Sequence, residues 1–345
     1  MGPRVRWGVI GSGGIAFRRT IPEGIAAASN AELVAVYDPD QERNREAARR
    51  WSGRAASSIE ELLGADTDCV YVASPADLHC EHARACAEAG KHLLCEKPLG
   101  LTVAEAESIV DLFRKKSLRL GTAFMMRFHS RHQAALDLVR RGRLGKLVYA
   151  RAQLSCWYPP IEGAWRQDPR RGGGGSLMDM GGHCLDLLEM FCGPVETVTC
   201  TIRNAVQAYQ PEDSAVVLAS FRDGALGTVD TFFCIPDASS ENVLELYGSN
   251  GSILARNTIG QGSEGEMRAQ LRDGIGGYDA QQNRSAAADL IAPEPVNTYR
   301  AEIEEFSRAV MENREPAVPG EAGLHSQRVL AACYESAHIG KPVAL

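Results

Sequence analysis

Val5–Ile10 is a short apolar segment that runs straight into Gly11-Ser12-Gly13-Gly14-Ile15-Ala16. This is a strand–turn–helix signature with G-x-G-x-x-A spacing. Gly11 turns the chain, Gly13 lets backbone N–H groups approach a pyrophosphate, and the small Ala16 permits close packing of helix on strand. Asp38 closes the next apolar segment, where a carboxylate accepts hydrogen bonds from an adenosine ribose and repels a 2′-phosphate. The pattern implies a nicotinamide dinucleotide and favours NAD(H). Arg43, further along, is able to pair with a phosphate and keeps NADP(H) open. Asp38 also precedes Pro39 in a position suited to a helix N-cap.

Two more stretches fall at the carboxyl ends of strand-like segments, where parallel sheets bind ligands. Ser74-Pro75-Ala76-Asp77-Leu78-His79 follows Cys69–Ala73, and Glu96-Lys97-Pro98 follows His92–Leu94, placing Lys97 at the mouth of the sheet. Far downstream, the glycine run Gly172–Gly175 leads into Ser176 and a helical pattern carrying Asp179, His183 and Asp186. At i, i+4 and i+7 these three share one helix face. A carboxylate beside an imidazole raises its basicity and a nearby ammonium lowers it, so such a histidine is tunable as a general base. Plainer readings exist: Ser176-x-x-Asp179 is a capping-box spacing, and Lys97 is also compatible with a surface charge. His79-Cys80-Glu81-His82 with Cys86 has metal-binding residue types but opens a helix without a second ligand pair, so no metal is expected.

The elements that must position these residues alternate. The apolar segments Arg4–Ile10, Leu33–Asp38, Cys69–Ala73 and His92–Cys95 are separated by helical patterns at Ile15–Ala28, Gln41–Trp51, Leu78–Ala89 and Val103–Lys116. Strands apolar on both faces and separated by helices imply an α/β, doubly wound Rossmann domain over residues 1–123. Residues 124–345 read as a second, α+β domain with a large open, mainly antiparallel sheet. Its helices are expected at Ser130–Arg140 and Leu177–Phe191, and its strands at Leu147–Ser155, Val195–Arg203, Ser214–Phe221, Leu226–Phe233, Asn242–Tyr247 and Ser252–Ala255. Arg256–Ala292 reads as a long irregular crossing, and Tyr299–Glu312 and Gly323–His338 as closing helices.

A chain of 345 residues exceeds what one core usually fills, in keeping with two domains. A net charge of −7 gives no electrostatic reason to expect nucleic acid. No apolar run approaches a membrane span, and glycines break the first one, Val9–Phe17, so a cytoplasmic protein with reduced, dispersed cysteines is expected. Apolar positions on both faces of the second sheet suggest pairing between copies, as a homodimer or homotetramer.

With the dinucleotide turn, Glu96-Lys97-Pro98 and Asp179-Met180-Gly181-Gly182-His183 in one chain, the sequence resembles the glucose-fructose oxidoreductase and inositol dehydrogenase (Gfo/Idh/MocA) family over essentially its whole length. The resemblance implies hydride transfer between a nicotinamide cofactor and a hydroxyl or carbonyl carbon of a sugar or polyol. It implies that Lys97 and His183 carry the acid–base chemistry, with Asp179 beside them, and that Lys97 stabilises a developing alkoxide. Trp165-Arg166 ahead of the glycine run is similar to family members that reduce anhydrofructose and to related sugar dehydrogenases. Asp38 departs from those NADP enzymes, which usually carry a small residue there. Ser74, Pro75, His79, Glu96, Lys97 and Arg166 are expected beside the cofactor with Gly11, Ser12, Gly13, Gly14, Ile15, Asp38 and Arg43. His129, Tyr158, Trp165, Arg166 and Tyr299 are expected beside the substrate, since aromatic faces stack on sugar rings and arginine grips hydroxyls; Trp165 and Tyr158 also suit ordinary core or interface positions, and Tyr299 suits the core better. Two alternatives are a glycosidase-like enzyme that recycles its cofactor and a dinucleotide-binding regulator without turnover. Lys97, Asp179 and His183 speak against the regulator, which has no use for them.

Overall fold

A computed structural model describes residues 3–272 and 288–345. The first sheet holds six parallel strands: β1 (Val5–Ile10), β2 (Ala31–Tyr37), β3 (Arg54–Ala55), β4 (Cys69–Val72), β5 (His92–Cys95) and β6 (Leu120–Thr122). Their order is β3-β2-β1-β4-β5-β6, the doubly wound arrangement that right-handed crossovers produce. β4 is buried along its whole length and β1 everywhere but Arg6, as strands covered by helices on both faces must be.

The helix after the glycine turn, Ala16–Ile25, contains Pro22 and is wound wider than an α-helix, closing with Ala26 N–H donating to Ile21 O at 2.9 Å. A proline interrupts the i→i+4 ladder by lacking an N–H, and i→i+5 turns accommodate such a break. Helix α1 (Gln41–Arg50) corrects one expectation. Its N-cap is Asp40, which accepts from the N–H groups of Glu42 and Arg43, so Asp38 is not spent on capping. The sheet's other helices are α2 (Ile59–Leu63), α3 (His79–Glu88) and α4 (Val103–Lys115), the last opened by a capping box of Thr102 and Glu105. β3 and α2 have no counterpart in the sequence reading, being too short to show a period.

The second sheet has nine strands: β7 (Leu147–Ser155), β8 (Val195–Arg203), β9 (Ser214–Phe221), β10 (Leu226–Phe232), β11 (Val243–Gly248), β12 (Gly251–Arg256), β13 (Glu266–Leu271), β14 (Asp289–Leu290) and β15 (Val343–Ala344). They run in the order β14-β13-β12-β11-β7-β10-β9-β8-β15, antiparallel except for the β7–β10 pair. The remaining helices are α5 (Ser130–Arg140), α6 (Pro169–Gly172), α7 (Gly182–Cys192), α8 (Thr298–Met311) and α9 (Gly320–Ile339). Part of the expected irregular crossing, Arg256–Ala292, is therefore strand. β13 hides Met267 and Ala269 between exposed neighbours, and its pairing with β12 is decided across the sheet, not by its own composition. Residues 273–287 of that crossing lie outside the described residues.

The chain divides into two compact units that are not two contiguous segments. One is Met1–Met125 with Gly163–Gly174 and Asn297–Arg328; the other is Met126–Glu162, Gly175–Val296 and Val329–Leu345. The expected cut at 123/124 marks where the first sheet ends, but α8 returns to that sheet. Ile303 and Phe306 enter its core with Trp7, Ile21 and Ile25, and the Trp7 indole N–H donates to Ser307 Oγ at 3.1 Å. Burying an indole requires such an acceptor, and α8 supplies it. No helix among the described residues is long and apolar enough to cross a membrane.

Candidate active site

In the first unit the glycine turn is shaped by close approach. Gly11 has φ +83°, and a Cβ there would lie 2.6 Å from Ser74 N, so only glycine fits. Gly13 N–H donates to Asp38 Oδ2 at 2.8 Å, holding the carboxylate against the turn, and Asp38 Oδ1 accepts from Asp40 N–H at 3.0 Å. Arg43 pairs with Asp40 at 3.2 Å, and its Cδ passes 3.6 Å from the position of a Cβ on Gly13. Ser12 is fully buried, yet its Oγ has no hydrogen-bond partner among the described residues. A buried hydroxyl of this kind needs a partner. A pyrophosphate laid on the turn would supply one, so Gly11, Ser12, Gly13, Gly14 and Ile15 with Asp38 fit a dinucleotide.

Ser74 and His79, both expected beside the cofactor, also have partners within the protein. Ser74 Oγ is turned to His82 Nδ1 at 2.9 Å, and its carbonyl faces His79 Nε2 at 2.9 Å. His79 is 1% exposed, and its Nδ1 faces Pro98 O at 2.7 Å. Both ring nitrogens are thus engaged by the protein's own backbone, because α3 starts directly beneath the two loops. Glu96 likewise serves the framework. Tyr71, which accepts from Thr20 Oγ1 at 3.1 Å, donates to Glu96 Oε1 at 2.5 Å, while Glu96 Oε2 accepts from Lys97 N–H at 3.3 Å. Lys97 is half-buried directly after β5, unlike a freely solvated surface charge.

Tyr299 is 3% exposed on α8, a core aromatic of the first unit; burial, then the charge of Glu96, pushes its hydroxyl well above the usual phenol range. Beside it in sequence, Glu302 is buried with neither carboxyl oxygen partnered among the described residues. Burial, then the charges of Glu96 and Glu305, raises its pKa well above the ordinary carboxyl value. A native pKa above the unfolded one means that the stability held by the protonated form is complete below the unfolded pKa and is lost as pH rises. Glu302→Gln cannot ionise, so its melting-temperature advantage over the parent is expected to grow from about pH 4 to about pH 9. The widening melting-temperature difference between the two proteins across that range is the readout. A difference independent of pH would show that Glu302 is not held protonated.

Trp165 and Arg166 lie on a short turn, Trp165–Gln167, with the guanidinium 4.2 Å from the centre of the indole ring. Their segment belongs to the first unit, not to the second domain as expected. Arg171 pairs there with Asp77 at 3.1 Å, and a Cβ on Gly172 would lie 3.1 Å from Arg166 Cα.

In the second unit the turn into α7 is built on Glu212, which the sequence reading missed because 37 residues separate it from Gly175. Its carboxylate accepts from Gly175 N–H and Leu177 N–H at 3.0 Å and from Tyr334 OH at 2.9 Å, and its carbonyl accepts from Ser176 N–H at 2.9 Å. A Cβ on Gly175 would sit 1.9 Å from Glu212 O, so this glycine is required by close approach. Ser176 makes no capping bond; its hydroxyl donates to Thr231 O at 3.1 Å, which removes the capping-box reading of Asp179. The helix enters through a wide turn, Leu177–Gly181, that continues into α7. Asp179 is half-buried and His183 buried. Asp186, expected on their face, accepts both Nε and Nη2 of Arg127 at 2.8 and 2.6 Å.

His129 is not offered to a substrate by its ring nitrogens. As N-cap of α5 its Nδ1 accepts from Arg131 N–H, and its Nε2 donates to Glu264 O, both at 3.2 Å. Its ring stacks on His132, with centres 4.6 Å apart. Tyr158 is half-buried, its ring 5.0 Å from that of Phe233 and its carbonyl accepting from Tyr209 OH at 2.8 Å.

A doubly wound sheet whose first turn fits a dinucleotide, with a lysine at the carboxyl end of β5, defines a nicotinamide-dependent oxidoreductase. Residues 5–124 match the model of an oxidoreductase family with an NAD-binding Rossmann fold, and residues 137–345 match that family's C-terminal alpha/beta domain. The chain belongs to the Gfo/Idh/MocA oxidoreductase family. It is 29% identical over 340 residues to 1,5-anhydro-D-fructose reductase of Ensifer adhaerens, covering 97% of each chain. It is 29% identical over 344 residues to D-xylose 1-dehydrogenase (NADP(+)) 2 of Haloferax volcanii, covering 98% of this chain and 99% of the relative. Among solved structures, the aldose-aldose oxidoreductase of Caulobacter crescentus complexed with glycerol matches with a TM-score of 0.87 at 25% identity, over 99% of this chain and 100% of that one.

Proposed function

We propose that the protein transfers hydride between NAD(H) and a hydroxyl or carbonyl carbon of a sugar or polyol. The observation that carries this reading is Lys97, seated by Glu96 at the end of β5 in the unit whose glycine turn fits a dinucleotide. The curated relatives named above, which act on anhydrofructose and on xylose, support the substrate class. The nicotinamide supplies or takes the hydride. Lys97 donates to the substrate oxygen and stabilises its negative charge as it develops. His183 takes or returns the hydroxyl proton, and Asp179, four residues earlier on the wide turn that continues into α7, assists it. Trp165 and Arg166 remain candidates for contact with substrate or cofactor; His129, Tyr158 and Tyr299 are better accounted for by packing.

A screen of sugars and polyols with NAD⁺ and NADP⁺, followed by reduced-nicotinamide absorbance in both directions, tests the reading. No absorbance change with any of them overturns it, and product without net change points to cofactor recycling. Asp38 sets the cofactor preference. Binding isotherms should show tighter binding of NAD(H), with Asp38→Ser moving the preference toward NADP(H) through Arg43. Tighter binding of NADP(H) by the unmutated protein would remove Asp38 from that role. The proposed setting is the cytoplasm, and the proposed assembly is a homodimer or homotetramer. Copies would meet on the sheet face where Val216, Leu218, Leu226 and Tyr247 are exposed. Cell fractionation and sedimentation equilibrium read these two.

A further inference from the structure

We propose that His79 is a positioning residue that sets Lys97 relative to the dinucleotide turn. The proposal rests on the reading of Lys97 above. His79 opens α3, yet its two polar atoms reach neither solvent nor the helix. Nδ1 faces Pro98 O at 2.7 Å, one residue beyond Lys97, and Nε2 faces Ser74 O at 2.9 Å, in the loop after β4. Ser74 in turn touches the cofactor turn, because its N lies 2.6 Å from where a Cβ on Gly11 would stand, and its Oγ is held by His82 Nδ1 at 2.9 Å. The contacts thus run without a gap from Gly11 through Ser74, His79 and Pro98 to Lys97.

Both neighbours of the ring are carbonyl oxygens, so each contact is a hydrogen bond only when the nitrogen facing it carries a proton; burial favours the neutral ring, which holds a single proton, and the shorter contact assigns it to Nδ1, donating to Pro98 O. The ring is buried among backbone, so losing a bond leaves a carbonyl without its partner and frees the loop attached to it. The loop freed on the Pro98 side carries Lys97. A misplacement of about 1 Å in a catalytic group costs on the order of a hundredfold in rate. Brace and reaction are therefore linked although both ring nitrogens of His79 face the protein's own backbone.

The two contacts can be separated by substitution. Asparagine places its amide N–H₂ near the position of Nδ1, and glutamine places its own near Nε2, while leucine keeps comparable bulk with no donor. His79→Leu is expected to bind NADH within about threefold of the parent but to lose roughly tenfold or more in kcat at saturating cofactor. His79→Asn, keeping the bond to Pro98 O, should restore most of that loss. His79→Gln, offering its donor only to Ser74 O, should not. Full turnover by the leucine variant overturns the proposal, as does equal recovery by asparagine and glutamine. Parallel losses of NADH affinity and kcat would make His79 a cofactor contact and overturn it as well. Thermal unfolding checks each variant; should leucine not fold, the asparagine–glutamine contrast carries the test. A measurement that needs no substrate keeps the proposal separate from the sugar reading. In crystals of His79→Gln, Lys97 Cα should move relative to Gly11 by about 1 Å or more, and in His79→Asn it should not. An unmoved Lys97 in both overturns the proposal even if no sugar is turned over.

Discussion

Lys97→Ala is expected to lower kcat by about a hundredfold or more while leaving NADH affinity within a few-fold, the usual scale for removing one electrostatic or acid–base group. The expectation comes from where the residue is held. Its backbone N–H is bonded to Glu96, Glu96 is anchored by Tyr71, and Tyr71 is met by Thr20, so the peptide bearing the ammonium is fixed from three elements. Alanine removes the charge without disturbing that frame, because the anchoring groups are the backbone of residue 97 and the side chain of its neighbour. Lys97→Arg should recover only part of the rate, since a planar, rigid guanidinium fork cannot place a single donor at the point a compact ammonium occupies. Steady-state rates with the best substrate from the screen, beside NADH fluorescence titrations, decide it. Near-normal turnover would demote Lys97 to a structural contact, and a collapse of NADH binding would make it a cofactor ligand.

Glu212→Leu is expected to destabilise the protein by about 3 kcal/mol or more, because it strands three donors, Gly175 N–H, Leu177 N–H and Tyr334 OH, at roughly 1–3 kcal/mol each. That corresponds to a loss of roughly 6 °C or more in melting temperature. Burial pushes the Glu212 carboxyl above its usual range, and the bonds it accepts pull it partly back, so the site tolerates a neutral acceptor. Glu212→Gln keeps one such oxygen and should cost about half as much or less. A turnover loss in Glu212→Gln larger than its stability loss explains would indicate that the turn also aims Asp179 and His183. A leucine variant that melts with the parent would show that close packing of Gly175 alone holds the turn.

Features carried by residues close together along the chain are legible in the sequence alone. Gly11, Gly13 and Ala16 with Asp38 lie at spacings that a single strand–turn–helix imposes, so type and interval suffice to read them. The same holds for Lys97 after β5 and for the alternation that yields a parallel sheet. Amphipathic period also placed α5, α8 and most strands of the second sheet. β3, α2 and β14 are too short to have a period, and β13 is hidden by its charged, exposed residues.

What the tertiary structure alone decided are the pairings between distant residues. Nothing within α8 says that it returns to the first sheet; that depends on Trp7 needing an acceptor and Ser307 providing it, 300 residues away. By its place in the sequence Asp38 suits both a helix cap and the cofactor turn at once; the fold gives the cap to Asp40 and holds Asp38 against Gly13. Ser74, His79 and Glu96 have residue types suited to a ligand, but whether their polar atoms face it or the backbone depends on which loops stack above α3. The partnership of Glu212 with Gly175 follows from how closely β9's entry strand segment approaches the start of α7. Spacing along a chain fixes what neighbours can do, whereas a buried polar group is satisfied by whatever the packed fold brings within about 3 Å, and that distance is a property of the fold.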